Sequence, residues 1–496
     1  MDQNNNNQNQ EYDEQMYRKY ERKIQDGKME IGGYLKTEFC NRPRGDPEVT
    51  NLRYLEKLNI QMLKVFINND MCIKIQSKTI KKLTLEQTVM DQQYLKFNDS
   101  EGQIVSNPKK LNMQVDDLEL ENLEVFDLHR NSLEDDQLYN LAKFKKLHSL
   151  DVSDNKVDLT HIHMVLSLTK LSMRYCSLKN IDLISSLVNL EELDISSNKD
   201  LELCPLFKLK NLSKLTMNNC RLKTIDQIVQ LTNLEVLNIS DNYLLQIIDS
   251  PRLLVYLKEL DISSNKQIDT TSLQGLKSLN KLSMRYCGLK NIGQITQLTN
   301  LEVLNISDNY QLQTIDSIRL LVNLKELDIS QNKQIDITPL KNLVGLIILN
   351  LRSCALTQLS ALKPLINLQT LDLSYNPNII ITELQYLKKL THLNLEFCNL
   401  VSIYVVRPLV NIEELNISSN TIVYLDADFN QMTKLETLTL ERNRISDVCR
   451  FQSTYVCKCT ASQIQFYETN QILQGSYIQI IVSTYIQFFK IYQLAY

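Results

Sequence analysis

The sequence predicts an α/β-type repeat solenoid, a curved array with a parallel concave β-sheet and short 3₁₀ or extended segments on its convex side. Two observations support this prediction. A motif of about 22 residues recurs fifteen times between residues 120 and 445. Each copy carries two apolar residues separated by one residue, and the first of the two is Leu in fourteen copies. One such unit buries too little apolar surface to fold alone, but stacked units form a continuous core.

The composition argues against several classes of function. Glycine accounts for only 10 of 496 residues, well below the usual ~7%. This scarcity argues against glycine-rich phosphate-binding loops. The 54 basic and 58 acidic residues give a net charge of −4, which predicts no general binding of nucleic acid or anionic membrane. No GxxxxGK[ST], GxGxxG, HExxH or GxSxG motif occurs. We therefore expect no enzyme, no cofactor and no metal site.

The N-terminal segment, residues 1–49, is rich in Asn and Gln and then charged, which predicts a disordered or weakly ordered segment. It has no apolar signal region, and the chain has no run of 18 apolar residues. These features predict a cytoplasmic or nuclear protein without a membrane span, in which the eleven cysteines are reduced.

Residues 50–120 hold degenerate copies of the motif at irregular spacing, namely LEKLNI at 55–60, IKKLTLEQ at 80–87 and LNMQ at 111–114. Because terminal repeats are commonly atypical, we expect an N-terminal cap of short strands here.

The array itself, residues 121–448, follows the pattern LxxLxLxx[NC]x(1–2)[LI]. Alternation places both leucines of LxL on one face of a strand. The next recurring position of the repeat is Asn or Cys. An Asn amide can donate and accept hydrogen bonds where the chain leaves the strand. The fifteen residues of this predicted structural ladder are Asn131, Asn155, Cys176, Asn198, Cys220, Asn242, Asn265, Cys287, Asn309, Asn332, Cys354, Asn376, Cys398, Asn420 and Asn443.

With these motifs, the chain resembles the leucine-rich repeat family over about two thirds of its length. The unit length and the SxN motif are most similar to the short 22-residue class, which includes the regulatory subunit of protein phosphatase 1 built of such repeats and the bacterial internalins. The resemblance implies a protein-binding array, and one specific form of that function is regulation of a protein phosphatase.

A candidate binding site comes from bulky residues just before the ladder positions, which we expect on the concave face. Arginine and aromatic residues are enriched at interface hot spots. The alternative is that duplication copied them without function, since residues 230–243 recur unchanged at 297–310, or that the rings pack on adjacent units. The candidate residues are Arg174, Tyr175, Arg285, Tyr286, Arg352, Tyr375 and Phe397.

The C-terminal segment, residues 449–496, is aromatic and rich in β-branched residues, which predicts a cap or tail that covers the last strand edge. The leading hypothesis is a non-enzymatic scaffold that binds one or more partner proteins on the concave face. The alternatives are a protein phosphatase regulator, by resemblance, and a structural protein that self-assembles through its tail or array ends.

Overall fold

The computed structural model describes residues 118–246, 254–333, 335–423 and 431–445, and the backbone of seven short strands outside these ranges. The chain divides into two compact units, Met1–Leu245 and Gln246–Tyr496. Most of the predicted N-terminal segment 1–49, cap 50–120 and tail 449–496 lies outside the described residues, so those assignments stay predictions.

The strands of the first compact unit pair in parallel in two sheets. One sheet holds β1, β3, β5 and then β7 to β12 in chain order, and the other holds β2, β4 and β6. The strands are β1 Lys28–Gly32, β2 Glu48–Val49, β3 Lys57–Gln61, β4 Lys74–Ser77, β5 Lys82–Glu86, β6 Leu118–Leu120, β7 Val125–Asp127, β8 Ser149–Asp151, β9 Lys170–Ser172, β10 Glu192–Asp194, β11 Lys214–Thr216 and β12 Val236–Asn238.

The second compact unit holds eleven strands, each paired in parallel with its sequence neighbour. They are β13 Glu259–Asp261, β14 Lys281–Ser283, β15 Val303–Asn305, β16 Glu326–Asp328, β17 Ile348–Asn350, β18 Thr370–Asp372, β19 His392–Asn394, β20 Glu414–Asn416, β21 Thr437–Thr439, β22 Val456–Lys458 and β23 Ile480–Ile481.

Each three-residue strand from β7 to β21 is built around one buried residue. The first leucine of LxL, or Phe126 in β7, occupies this central position and is at most 3% exposed, while its two neighbours are half-buried or exposed. The register places Leu193 directly opposite Leu171 and Leu215, so the leucines of successive strands form one column. This column is the core that the alternating pattern predicts.

The return segment of most units contains a short 3₁₀ helix, which confirms the predicted short 3₁₀ segments between the strands. In Asp182–Ser186, for example, the N–H of Leu187 donates to the carbonyl of Ile184 at 2.9 Å, and Ile184 is fully buried. The helices are Asp135–Leu138, Leu141–Lys143, Ile162–Met164, Asp182–Ser186, Cys204–Lys208 and Asp226–Gln230 in the first unit, and Thr271–Gly275, Gly293–Gln297, Asp316–Leu320, Thr338–Asn342, Ser360–Leu362, Thr382–Tyr386 and Tyr404–Val406 in the second. Within the described ranges, no helix has the length and apolar content needed to cross a membrane.

The ladder asparagines join each unit to the one before it. The Nδ2 group of Asn198 donates to the carbonyl of Ile195 in its own unit and to that of Met173 in the preceding unit, at 3.0 and 2.8 Å. Its Oδ1 atom accepts the backbone N–H groups of Cys176 and Leu178, at 3.0 and 3.1 Å. One buried amide therefore satisfies four or more backbone groups at the point where two units leave the sheet.

A second set of asparagines, which sequence analysis missed, joins the units where the return segment ends. The Nδ2 group of Asn189, for example, donates to the carbonyl of Leu166 in the preceding unit at 2.9 Å. The signal was the recurring Asn before the first leucine of the motif, as in VNL and TNL. The members are Asn189, Asn211, Asn233, Asn300, Asn323, Asn367 and Asn411.

We predict that Asn198→Ala lowers the free energy of unfolding by about 3 kcal/mol, because it leaves several buried backbone groups without partners. Asn189→Ala is the matched control, since its amide is exposed and makes one such bond, and we expect a loss of about 1 kcal/mol. Urea unfolding followed by circular dichroism measures both. Equal losses for the two variants would contradict the role of the buried amide.

Candidate functional site

The seven candidate residues lie at one edge of the sheets. Arg285 and Tyr286 follow the end of β14 by two and three residues, and the other candidates occupy the same places after their own strands. The backbone of Tyr286 still donates to the carbonyl of Ser307 in the next unit at 3.0 Å. Because the strands are parallel, all these positions lie at the carboxyl ends of the strands, which we call the carboxyl edge.

The residue directly before each ladder position has a left-handed backbone in all fifteen units, with φ between 54° and 63°. This region favours Gly, Asn and Asp and is costly for bulky residues. We call these positions the edge rungs. They are Arg130, Asp154, Tyr175, Ser197, Asn219, Asp241, Ser264, Tyr286, Asp308, Gln331, Ser353, Tyr375, Phe397, Ser419 and Arg442.

Four of the edge rungs carry an aromatic residue, although the conformation costs about 1 kcal/mol for a non-glycine residue. The hydrogen bonds between units hold this backbone shape, as in the 2.8 Å bond from the N–H of Tyr375 to the carbonyl of Glu396. Sequence analysis singled out these aromatic residues but missed the conformation. The Asp, Ser and Asn residues at most other edge rungs could have indicated this left-handed backbone.

The short polar residues between the leucines have a structural role. The side chain of Asp194 accepts the backbone N–H of Ser196 at 2.9 Å, and that of Asn350 accepts the N–H of Arg352 at 3.0 Å. Such turns fix the chain as it leaves the strand. The same requirement explains why most units have Asp or Asn there.

Arg174 and Tyr175 are exposed on the first compact unit, where Tyr175 retains 62% of its surface. The side chains of both residues have no ion pair, ring contact or hydrogen bond with any residue in the described part of the chain. The next rung is Ser197, which offers them neither a charge nor a ring.

Arg285 and Tyr286 share the sequence of that first pair but have a different environment. Arg285 Nε lies 2.6 Å from Asp308 Oδ2, and this hydrogen bond raises the pKa of Arg285. Lys266 Nζ lies 3.9 Å from the centre of the Tyr286 ring, and the ring of Tyr310 meets Tyr286 edge-on at 6.3 Å. The side chains of the duplicated pair are therefore largely engaged by residues of the adjacent repeat units.

Arg352, Tyr375 and Phe397 form one continuous stack across three successive units. The guanidinium carbon of Arg352 lies 4.0 Å from the centre of the Tyr375 ring, and the rings of Tyr375 and Phe397 are stacked at 5.1 Å with an angle of 23°. Arg352 Nη1 donates to Ser374 Oγ at 3.0 Å, and the Tyr375 hydroxyl donates to Glu396 Oε1 at 3.3 Å. The structure thus brings three of the seven candidates together.

A shallow depression lies beside the Tyr310 ring on the second compact unit. Its volume is about 510 Å³ and its lining offers two lysines, one tyrosine and two glutamines, but no carboxylate, thiol or imidazole. Within the described ranges, no three His, Cys, Asp or Glu side chains are placed to hold a metal ion. The lining residues are Lys290, Tyr310, Gln311, Leu312, Gln313 and Lys333.

Comparisons with known proteins agree with the observed architecture. The family profile described as leucine-rich repeats in two copies matches residues 299–342. The solved structure of the leucine-rich repeat protein LIC12759 of Leptospira interrogans matches with a TM-score of 0.57 and 28% identity, over 66% of this chain and 86% of that chain. The chain therefore contains leucine-rich repeats and has their fold. No curated protein matches its sequence.

Two further structures are similar to this chain at lower identity. The complex of TLR13 with ssRNA13 matches with a TM-score of 0.52 and 19% identity, over 80% of this chain and 72% of that chain, which shows a shared fold. The internalin InlF of Listeria monocytogenes matches with a TM-score of 0.38 and 22% identity, over 62% of this chain and 78% of that chain.

The five ladder cysteines replace the hydrogen-bond donor of the ladder asparagines. The thiol of Cys176 donates to the carbonyl of Val152 in the preceding unit at 3.3 Å. Burial raises the pKa of this thiol to about 12. The pKa is raised by the same cause in the other four, to about 12 or about 11, so all five thiols stay protonated and weakly reactive. They are Cys176, Cys220, Cys287, Cys354 and Cys398.

We predict that iodoacetamide labels Cys204 in the native protein at mildly alkaline pH, because this thiol is exposed. The five ladder cysteines should be labelled only after unfolding in urea, since the thiolate is the reactive form. Peptide mapping by mass spectrometry measures each site separately. Labelling of Cys287 at the rate of Cys204 in the native protein would contradict a purely structural role.

Proposed function

We propose that this leucine-rich repeat protein is a non-enzymatic scaffold that binds a partner protein through the sheet face and the carboxyl edge. The observation that supports this proposal is the stack of Arg352, Tyr375 and Phe397, whose outermost ring is 49% exposed. Side chains of these types carry much of the binding energy at protein interfaces.

The stack is ordered before any partner arrives. Arg352 is held by its hydrogen bond to Ser374 and by the Tyr375 ring, and the rings stand on backbone positions fixed by the hydrogen bonds between units. Binding orders side chains at an interface at a cost of about 0.5–1.5 kcal/mol for each flexible one. A stack that is already rigid avoids much of this cost, which favours a binding role over simple solubility.

Much of the charge on the sheet face is neutralised within the chain. Lys170 forms an ion pair with Glu192, and Lys281 lies 3.6 Å from Glu259 across neighbouring strands. Exposed pairs of this kind contribute roughly 0–1 kcal/mol. We therefore assign the main contribution to binding to the aromatic and arginine residues of the carboxyl edge.

We predict that the triple variant Arg352→Ala, Tyr375→Ala, Phe397→Ala binds the partner roughly 30-fold more weakly, as expected when a hot spot worth about 2 kcal/mol is removed. Affinity capture from source lysate and mass spectrometry identify the partner, and calorimetry with the purified partner measures the affinity.

The matched control for this variant changes three exposed apolar residues beside the 3₁₀ helices. Val322, Val344 and Ile366 are 57%, 52% and 55% exposed, and their replacement by serine should leave binding unchanged. Loss of binding in this control but not in the triple variant would move the site to the side of the 3₁₀ helices and refute the proposal.

A second variant compares the two copies of the Arg–Tyr pair, Arg174–Tyr175 and Arg285–Tyr286. Among the described residues, the side chains of the first pair make no ion pair, ring contact or hydrogen bond, whereas those of the second are held by Asp308 and Lys266. In calorimetry with the purified partner, alanine substitution of the first pair should therefore weaken binding more than substitution of the second. Equal effects would show that the internal contacts do not matter for recognition.

The same protein preparations test the two alternatives, regulation of a protein phosphatase and self-assembly. Regulation of a protein phosphatase rests on resemblance alone, and phosphatase activity that co-purifies with the chain would favour it. Self-assembly predicts a mass above that of the monomer when the full chain is studied by light scattering.

The capture experiment also tests whether the chain binds nucleic acid. The expectation that this chain binds none rests on its net charge of −4, whereas the similar TLR13 structure is a complex with ssRNA. Treatment of the lysate with nuclease before capture should leave the partner bound if recognition is by protein.

A further inference from the structure

The two copies of the Arg–Tyr pair stand on the same backbone. The sequence LSMRYC contains each pair, and φ is 54° at both Tyr175 and Tyr286. The N–H of Tyr175 donates to the carbonyl of Ser196 at 2.9 Å, and the N–H of Tyr286 donates to that of Ser307 at 3.0 Å. Because sequence and backbone are the same, the contacts of the second pair indicate which chemical groups fit the first.

The second pair is engaged by one segment of the next repeat unit, Asp308–Asn309–Tyr310. Arg285 Nε lies 2.6 Å from Asp308 Oδ2, and the ring of Tyr310 meets that of Tyr286 at 6.3 Å and an angle of 81°. The Tyr310 hydroxyl also donates to Asp308 Oδ1 at 3.1 Å. An acidic and an aromatic residue two positions apart therefore contact both members of the pair at once.

The first pair adjoins a unit that lacks both of these groups. The corresponding segment there is Ser197–Asn198–Lys199, and in both units the next buried leucine follows the ladder asparagine by three positions. The backbone angle φ is 59° at both Ser197 and Asp308. The two segments thus have the same turn length and rung conformation, and they differ in their side chains.

Five carboxylates on the sheet face and carboxyl edge around the first pair are already engaged. Two of them accept backbone N–H groups of their own turns, and three form ion pairs at no more than 3.5 Å. A guanidinium at Arg174 has no ion pair with any of them. The five and their partners are Asp151 with Ser153, Asp154 with Arg130, Glu192 with Lys170, Asp194 with Ser196, and Asp200 with Arg221.

The unpaired charge beside the first pair is positive. Lys156 and Lys199 directly follow the ladder asparagines of the two flanking units, and like Arg174 they have no ion pair with a described residue. Because these three cations lack a counter-charge, the place favours an anionic group from a partner. Four further charges lie past the next buried residue, where they alternate in sign, or at the amino end of a strand, and they are Asp158, Lys179, Glu202 and Glu191.

We propose that the partner protein docks a segment of the pattern Asp/Glu-x-Tyr/Phe on Arg174 and Tyr175. Its carboxylate pairs with the Arg174 guanidinium, as Asp308 does with Arg285, and its ring packs against Tyr175. This inference rests on the proposed function and names the chemistry of the segment that is recognised.

The experiment uses the full chain and a fluorescein-labelled peptide, Gly-Gly-Ser-Asp-Asn-Tyr-Gln-amide, which carries the chain's own residues 307–311. Fluorescence anisotropy measures the affinity, and we expect saturable binding to a single site. Arg174→Ala should weaken binding about tenfold, the scale of a hydrogen bond to a charged group. Tyr175→Ala should weaken it about fivefold, the scale of an aromatic pair.

Two altered peptides test the charge and the spacing. Replacement of the peptide Asp by Asn should weaken binding about tenfold, because the carboxylate is lost. A peptide in which Asp and the Asn after it are exchanged keeps the composition and the charge, but the acid then directly precedes the Tyr. It should also bind more weakly than the original peptide.

Two reciprocal double variants exchange the environments of the pairs. Ser197→Asp with Lys199→Tyr gives the first pair the side chains that engage the second, and should abolish binding of both the peptide and the lysate partner. Asp308→Ser with Tyr310→Lys frees the second pair and should create a second peptide site. In the Arg174→Ala background, this variant should restore peptide binding. Circular dichroism and urea midpoints verify that the variants are folded.

The matched control for the aromatic contact is Tyr139→Ala. Tyr139 has the same 62% exposure as Tyr175 and lies on the same compact unit, directly after the 3₁₀ helix Asp135–Leu138. It should leave peptide binding unchanged, because it lies in a return segment and not at the carboxyl edge.

A second copy of the chain is the other possible source of such a segment. Asp241–Asn242–Tyr243 repeats the sequence of the engaged segment, and Tyr243 is 49% exposed. We expect light scattering to give the same mass for wild type, Arg174→Ala and Asp241→Ala. A dimer that dissociates in both variants would assign the place to a second copy and overturn the proposal of a partner protein.

The proposal is also overturned if Arg174→Ala binds the peptide as tightly as wild type, if Asp308→Ser with Tyr310→Lys restores no binding in that background, or if a ten-residue uridine oligonucleotide binds this place more tightly than the peptide. Failure of the peptide alone, with the lysate partner still lost in the triple variant of the stack, would refute the docked segment and leave the scaffold function standing. Failure of both would refute the two together.

Discussion

The hydrogen bonds of the ladder side chains are the interaction on which the rest of the structure depends. Each strand from β7 to β21 is only three residues long, so the sheet alone gives few bonds per unit. The chain must then turn sharply and leave backbone groups that burial would penalise. An asparagine such as Asn198 satisfies those groups in two repeat units at once and so joins each unit to the one before it.

The ladder also decides what the carboxyl edge can carry. Because the turn before each ladder residue requires a left-handed backbone, that position favours small polar residues, and most units have them. Aromatic residues at Tyr175, Tyr286, Tyr375 and Phe397 are exceptions that cost free energy in folding. At Tyr375 and Phe397 this places two stacked rings at an exposed edge, in keeping with the proposed binding role.

Duplication and divergence act differently on the core and on the edge. The repeated leucine columns have the same burial in every unit, so copied sequence yields copied structure there. At the edge, the identical Arg–Tyr pairs at 174–175 and 285–286 have different surroundings, because the neighbouring rung is Ser197 in one case and Asp308 in the other. The function of a copied residue in a solenoid thus depends on the adjacent unit, whereas its structural role depends mainly on its own.

The sequence by itself determined the repeat, the strand in each unit, the buried leucine column and the short 3₁₀ return. These features depend on local period and unit length, which are visible in one dimension. It also singled out the edge residues by type, but not their left-handed backbone, the second set of asparagines or the separate environments of the Arg–Tyr pairs. Those depend on contacts between residues about 22 positions apart, as between Tyr375 and Phe397. Only the tertiary structure decided that Arg352, Tyr375 and Phe397 form one stack, because stacking is set by the register of neighbouring strands and by the side chains at each edge rung.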